Sequence, residues 1–137
     1  MIVDSSALIA IVFDEPDAEA MLNALAEASS LKISAVTWVE THVVVANRTS
    51  VTTSRDRLQQ NRLKEIFAVF DMQIIAVDQD LARDARDAHM IYGRGRHPAR
   101  LNFGDCFSYA LAKRDNEPLL FKGNDFSQTD LVPALTP

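Results

Sequence analysis

The chain is poor in the features that would place it outside a cell or within a bilayer. Its 137 residues include one cysteine, Cys106. No disulfide can form within the chain, which predicts a reducing compartment, the cytoplasm. The longest uninterrupted apolar run, Ala7 to Phe13, is far short of the ~20 residues a bilayer span needs. No membrane contact is expected. The first thirty residues hold no Lys or Arg, and Asp4 interrupts the apolar start, so no signal peptide is expected. His42, His89 and His97 lack the spacing and the cysteine partners of a zinc site. Neither a glycine-rich phosphate loop nor a G-x-S-x-G elbow occurs. Cys106 has no His relay and reads as a core thiol. Repeats, low-complexity tracts and linkers are missing too, so residues 1–137 are expected to form one domain.

What is present is an ordinary globular balance, 47% hydrophobic and 24% charged, with a net charge of −5. That sum argues mildly against a nucleic-acid binder, but the distribution is uneven. Six acids fall in residues 1–30. Arg94, Arg96, Arg100, Lys113 and Arg114 face only Asp105 in residues 91–114. Arg48, Arg55, Arg57, Arg62 and Lys64 form a second basic stretch. Solvated helix faces would look the same. An acidic site between basic walls also suits metal-dependent phosphodiester chemistry, because a metal offsets the acids and the walls hold phosphates.

Short apolar segments alternate with helical periodicity. Met1-Ile2-Val3, Leu31 to Ser34, Ile74 to Val77 and Pro118 to Phe121 read as strands, the third of them a buried type. Leu131-Val132 is a candidate fifth strand. Helices are expected after Asp4, from Pro16 through Leu25, over Ala35–Asn47, over Ser54–Phe70 with Leu58, Leu63, Ile66, Phe67 and Phe70 inward, from Asp78 to about Met90, and over Gly104–Arg114. Residues 92–103 carry glycine and proline breakers and read as a loop. This alternation predicts an α/β fold with a parallel sheet covered on both faces. In such sheets the ligand crevice lies beyond the carboxyl ends of the strands. Asp4 and Asp125 both fall just past such ends.

Four acids stand out. Asp4 closes the first strand; it is a good helix cap, but Ser5 or Ser6 could cap instead and leave it free. Glu40 sits among Val36, Val39, Val43 and Val44 at helical spacing, and a carboxylate on an apolar face is costly unless paired or bound to a cation. Asp105 falls in the first turn of its helix, where the dipole alone favours it by roughly 0.3–1 kcal/mol. Asp125 lies in a turn after a strand, a common place for Asp; Asn124 beside it is a possible neutral oxygen donor. Hard cations take such oxygen ligands and keep several waters. Trp38 and Phe103 read as core or hinge residues, and Tyr92 as a candidate base-stacking ring.

The pattern resembles the PIN-domain toxins of the VapC family. The likeness rests on Met1-Ile2-Val3-Asp4-Ser5-Ser6-Ala7-Leu8, on Ile33-Ser34-Ala35 through Val39-Glu40, on Gly95 through Phe107 with Asn102-Phe103-Gly104-Asp105 at its centre, and on Leu119 through Phe126. These segments span nearly the whole chain. The resemblance implies a PIN fold, a three-layer α/β/α sandwich with a mostly parallel sheet of 4–5 strands. It implies the toxin of a type II toxin–antitoxin system, an endoribonuclease using Mg²⁺ (with Mn²⁺ as substitute) and a metal-activated water. It implies a cognate VapB-type antitoxin, a homodimer and a toxin–antitoxin hetero-oligomer. By position, Asp4, Glu40, Asp105 and Asp125 match the family's acidic quartet, catalytic and metal-binding, with Ser6 bracing the first Asp. Many relatives carry a further acid where this chain has Asn124. Arg94, Arg96, Arg100 and Lys122 are expected to touch RNA. Two rivals remain: a catalytically inactive PIN-like binding module, and a receiver- or phosphatase-like domain. The latter wants a second Asp two positions after Asp4, or a phosphoacceptor at the third strand, where only Asp78 is available.

Overall fold

A computed structural model describes residues 1–49 and 53–135. Four parallel strands form one sheet: β1 (Ile2–Val3), β2 (Lys32–Ser34), β3 (Gln73–Ile75) and β4 (Leu119–Leu120), in the order β3-β2-β1-β4. Six helices connect them: α1 (Ser5–Val12), α2 (Ala18–Glu27), α3 (Ala35–Arg48), α4 (Ser54–Val69), α5 (Gln79–Tyr92) and α6 (Phe103–Asp115).

Each strand residue serves one face, and both faces of the sheet are apolar. Val3, Ile33 and Leu120 point into a core with α1, α2, α3 and α4. Ile2 and Leu119 point the other way, into a core with α5 and α6. This period of two makes the sheet the middle of three layers. The register is tight: Ile2 pairs Lys32 and Leu119, and Val3 pairs Leu120. Since all strands run the same way, their carboxyl ends emerge at one edge. Four helices begin there, each capped by a short polar side chain. Asp4 caps α1, Ser34 caps α3, Asp78 caps α5 and Asn102 caps α6.

Several expectations need correction. Pro16 lies outside α2, which starts at Ala18 behind Asp17. The third strand is an edge strand with β2 on one side, and its Ile74 is exposed. Leu58 is exposed near the start of α4, whose buried positions are Leu63 and Ile66. Leu131-Val132 forms no strand. The chain there runs beside β4 through a single bridge, Leu119 to Pro133, and proline cannot donate to extend a ladder. The greatest difference is on α3, whose buried face is Thr37, Thr41 and Val45, while Val39 and Val43 are 51% and 50% exposed.

Candidate active site

Asp4 leaves β1 with extended backbone and accepts from the Ser6 amide at 2.9 Å, so it is itself the cap of α1. Neither Ser5 nor Ser6 takes that role. The Ser6 hydroxyl donates to the same oxygen, Oδ2, at 2.6 Å. The Ser108 hydroxyl, from α6, donates to Oδ1 at 2.7 Å. Ser108 continues to Thr37 at 3.1 Å, and Thr37 to Ser34 at 2.8 Å. All four members of this chain are buried. A carboxylate only accepts, so the proton order is fixed: Ser34 donates to Thr37, Thr37 to Ser108, and Ser108 to Asp4.

Glu40 projects from the second turn of α3. Its Oε2 is buried and has no hydrogen-bond partner. Burial, then the negative charge of Asp4, raises its pKa, against the pull of the Ser5 hydroxyl. The valines do not bury it, since two of them face solvent. The backbone of Gly104 lies against its carboxylate instead.

Asp105 is the third residue of α6. It forms a reciprocal capping box with Asn102: Asp105 N–H donates to Asn102 Oδ1 at 3.0 Å, and Asn102 N–H donates to Asp105 Oδ2 at 2.7 Å. Burial and the charge of Asp4 nonetheless push its carboxyl up to about 7; the Asn102 amide pulls it back, while Glu40 and Asp125 add to the rise. Asp125 is exposed and precedes a 3-10 turn at Phe126–Gln128.

All four acids line one open cavity of about 340 Å³, together with Ser6, Asn102, Arg48 and Lys122. None of the four has an ion pair among the described residues. Also among the described residues, no three His, Cys, Asp or Glu side chains are already arranged as a finished metal cage. The donor chemistry still fits a hard cation. The donors are all oxygen, one buried oxygen lacks any partner, and Glu40 and Asp105 are both raised by burial and by the charge of Asp4. Asp4, Glu40, Asp105 and Asp125 would hold it.

The basic residues divide. Lys122 is at the pocket, paired with Glu15 at 2.6 Å and Asp17 at 3.2 Å. Arg48, also lining it, stands 3.8 Å from Glu15. Arg94, Arg96 and Arg100 line a separate open cavity with His97 and Pro98. Tyr92 is half-buried against the rings of His97 and Tyr109. Phe103 is no core residue; it is 73% exposed. Cys106 is buried, its thiol pushed up to about 11 by burial and by Asp105. Asp78 caps α5, approaches Arg114 at 3.5 Å and does not line the acidic cavity, which removes the basis for a receiver-like site.

Nothing in the sequence points to the roles of Ser108 and Thr37, and Gly104 stands out in it only as part of the Gly95–Phe107 likeness. A serine or threonine in a helix is ordinary, and only the packing of α6 on α3 brings these groups to Asp4 and Glu40. The weak signal was three small or hydroxyl-bearing residues at core-facing positions.

The family model described as PIN domain matches residues 1–132. Ribonuclease VapC42 of Mycobacterium tuberculosis is 45% identical over 138 residues, covering 99% of this chain and 100% of that protein. Ribonuclease VapC of Mycolicibacterium smegmatis is 44% identical over 133 residues, covering 96% and 98%. Among solved structures, Mycobacterium tuberculosis VapC20, described as a sarcin-ricin loop cleaving toxin, superposes with a TM-score of 0.72 at 18% identity, covering 99% and 98%. VapBC2 from Rickettsia felis, solved with a DNA fragment from its promoter, gives 0.70 at 15% identity, covering 96% and 95%.

Proposed function

The chain belongs to the PIN-domain family and, within it, to the VapC ribonucleases; from that premise we propose that it is the toxin of a type II toxin–antitoxin pair, a Mg²⁺-dependent endoribonuclease whose site is Asp4, Glu40, Asp105 and Asp125. One observation carries the assignment of the site. The four acids share one cavity, and Glu40 Oε2 is buried there without a donor.

Each residue has a part that its contacts support. Ser6 and Ser108 fix the plane of the Asp4 carboxylate. Asn102 fixes Asp105. Gly123 turns the chain out of β4 with φ +99°, bringing Asp125 over the pocket. Lys122 and Arg48 set positive charge at the rim, where a phosphodiester would lie. A bound Mg²⁺, or Mn²⁺ in its place, would activate water and neutralise charge on the phosphoryl group. Arg94, Arg96 and Arg100 extend the phosphate contacts on their own surface. The cellular setting is the cytoplasm.

The partner is a VapB-type antitoxin. Beside the acids, Val36, Val39, Val43, Val77 and Phe103 line an apolar cavity of about 870 Å³ that shares Glu40 and Asn102 with the acid site. Such a groove suits an apolar segment ending in a cation, whose attraction to the acids would block the site. A homodimer and a toxin–antitoxin hetero-oligomer complete the proposal.

The test is purified chain with Mg²⁺ and a panel of labelled RNAs. Cleavage should stop in EDTA, and Asp4→Asn or Asp105→Asn should each lower it at least about a hundredfold, the scale of losing a transition-state contact. Wild-type failure on every RNA would favour an inactive binding module. Cleavage untouched by both substitutions would move the site elsewhere. Sequencing of RNA ends soon after induction would then identify the target.

A further inference from the structure

Gly104 is the second residue of α6, and its backbone is one that any L-residue adopts: the only described glycines with positive φ are Gly95 and Gly123. Neither turn geometry nor strain calls for glycine there. Local propensity argues against it, since glycine in a helix is a cost relative to alanine. What the missing side chain does provide is space. A Cβ added at Gly104 would stand 2.6 Å from Glu40 Cδ and 2.7 Å from Oε1, and closer still to Oε2. Those contacts are well inside van der Waals separation. Every one of the three nearest atoms belongs to the Glu40 carboxylate.

The nature of that neighbour decides the consequence. A backbone atom could not yield, and alanine there would damage the fold. A carboxylate at the end of a flexible side chain can swing away, so alanine costs the fold little and the site much. Glu40 is also the acid whose Oε2 is buried without a partner. It occupies a place that the fold does not reward.

We infer that Gly104 is a positioning residue: its lack of a Cβ admits the Glu40 carboxylate against the first turn of α6, beside Asp105. The role rests on the metal-dependent reading above, but the steric part stands independently. Gly104 touches neither ion nor substrate. It acts through Glu40 alone.

The experiment is a double-mutant cycle on the full chain with Gly104→Ala, Glu40→Ala and the pair. Mn²⁺ binding is read by calorimetry, and melting is read in EDTA. Gly104→Ala should weaken Mn²⁺ binding at least about tenfold, as Glu40→Ala does, and the pair should bind no worse than Glu40→Ala alone. In EDTA, Gly104→Ala should raise the melting temperature fully in the Glu40→Ala background. The rise should be smaller when Glu40 is present, because there the carboxylate must first leave its place. Unchanged Mn²⁺ affinity in Gly104→Ala, or losses that add in full, would overturn the positioning role. Equal melting shifts in the two backgrounds would overturn the steric claim. Wild-type chain that binds no Mn²⁺ would defeat the metal site instead, and the melting cycle would still decide whether Gly104 makes room for Glu40.

Discussion

Asp4 accepts three hydrogen bonds, two on Oδ2 from Ser6 and one on Oδ1 from Ser108. An ionised carboxylate offers about four lone-pair positions, so the remaining one is on Oδ1, shared with Ser108. Ser108 therefore decides how that oxygen is presented. Hydrogen bonds to charged groups contribute about 1.5–3 kcal/mol each, so Ser108→Ala should cost about 2 kcal/mol in urea unfolding. RNA cleavage by that variant should fall about tenfold, because the carboxylate plane is no longer fixed. Thr37→Val breaks the chain one link further out. It should cost about 2 kcal/mol, since the Thr37 hydroxyl makes two neutral bonds of about 1 kcal/mol each, and leave cleavage near wild type, since Ser108 keeps its proton for Asp4. If Thr37→Val harmed cleavage as much as Ser108→Ala, the fixed order of donors would be wrong.

At the scale of the element, α6 carries the most. Its first turn holds the capping box, and its middle is buried on nearly every side. Asn102→Ala removes the acceptor for the Asp105 amide. It should lower stability by about 1 kcal/mol, the usual cost of losing such a cap, read as a lower urea midpoint with unchanged slope. Cleavage should fall less than for Asp105→Asn, because the backbone amide of residue 102 still donates to Asp105. The helices and strands were legible because their apolar periods are strong: Met21 and Leu25 on α2, Leu63 and Ile66 on α4, Leu81, Ala85 and Ala88 on α5. The orientation of α3 was not. Its valines suggested one buried face, yet its buried residues include Thr37 and Thr41, which satisfy their hydroxyls internally. Threonine pays no desolvation penalty when its proton has an acceptor, and a sequence does not show whether one is there. The sequence sets Glu40 among valines, but its carboxylate lies against the first turn of α6. The placement of Asp4 and Asp125 at strand ends was visible beforehand. Their convergence with Asp105 depends on the order β3-β2-β1-β4, which the sequence does not state.

Across the whole molecule, the two ends of the sheet are electrostatically unlike. At the amino end, Lys32 meets Asp115 at 2.8 Å and Glu117 at 2.6 Å. Burial pushes Asp115 up, but hydrogen bonds from Lys32 and Arg114 bring it below its ordinary 3.8. Lys32 first, then the chain's amino group, holds Glu117 below 4.5. Folded-state values below the unfolded ones mean that this stabilisation is complete above about pH 4.5 and is lost as pH falls through the lowered values. The stability gap between wild type and Lys32→Met should therefore be level from about pH 6 to 9 and close under acid; a gap that persisted at pH 2 would contradict this. At the carboxyl end of the sheet Lys122 and Arg48 turn to Glu15 and Asp17, not to the four acids. The four acids of the site have no ion pair among the described residues, and Asp105 is held up to about 7 by burial first and then by the charge of Asp4. The fold thus supports a concentration of like charge that a divalent cation would relieve. An ion that binds only the folded chain at a hundred times its dissociation constant adds about 2.7 kcal/mol. For a domain of this size each kcal/mol moves the melting temperature by about 3 °C, so saturating Mn²⁺ should raise it by about 8 °C, reversibly with EDTA. The rise should shrink in Asp4→Asn and nearly vanish when Asp105→Asn is added. A monovalent salt at equal ionic strength separates site binding from general screening, because screening acts on the exposed surface charges too and would shift the double variant as much as the wild type. A shift that survived both substitutions would mean that the ion sits away from the strand ends, and that the acids gather there for some other reason.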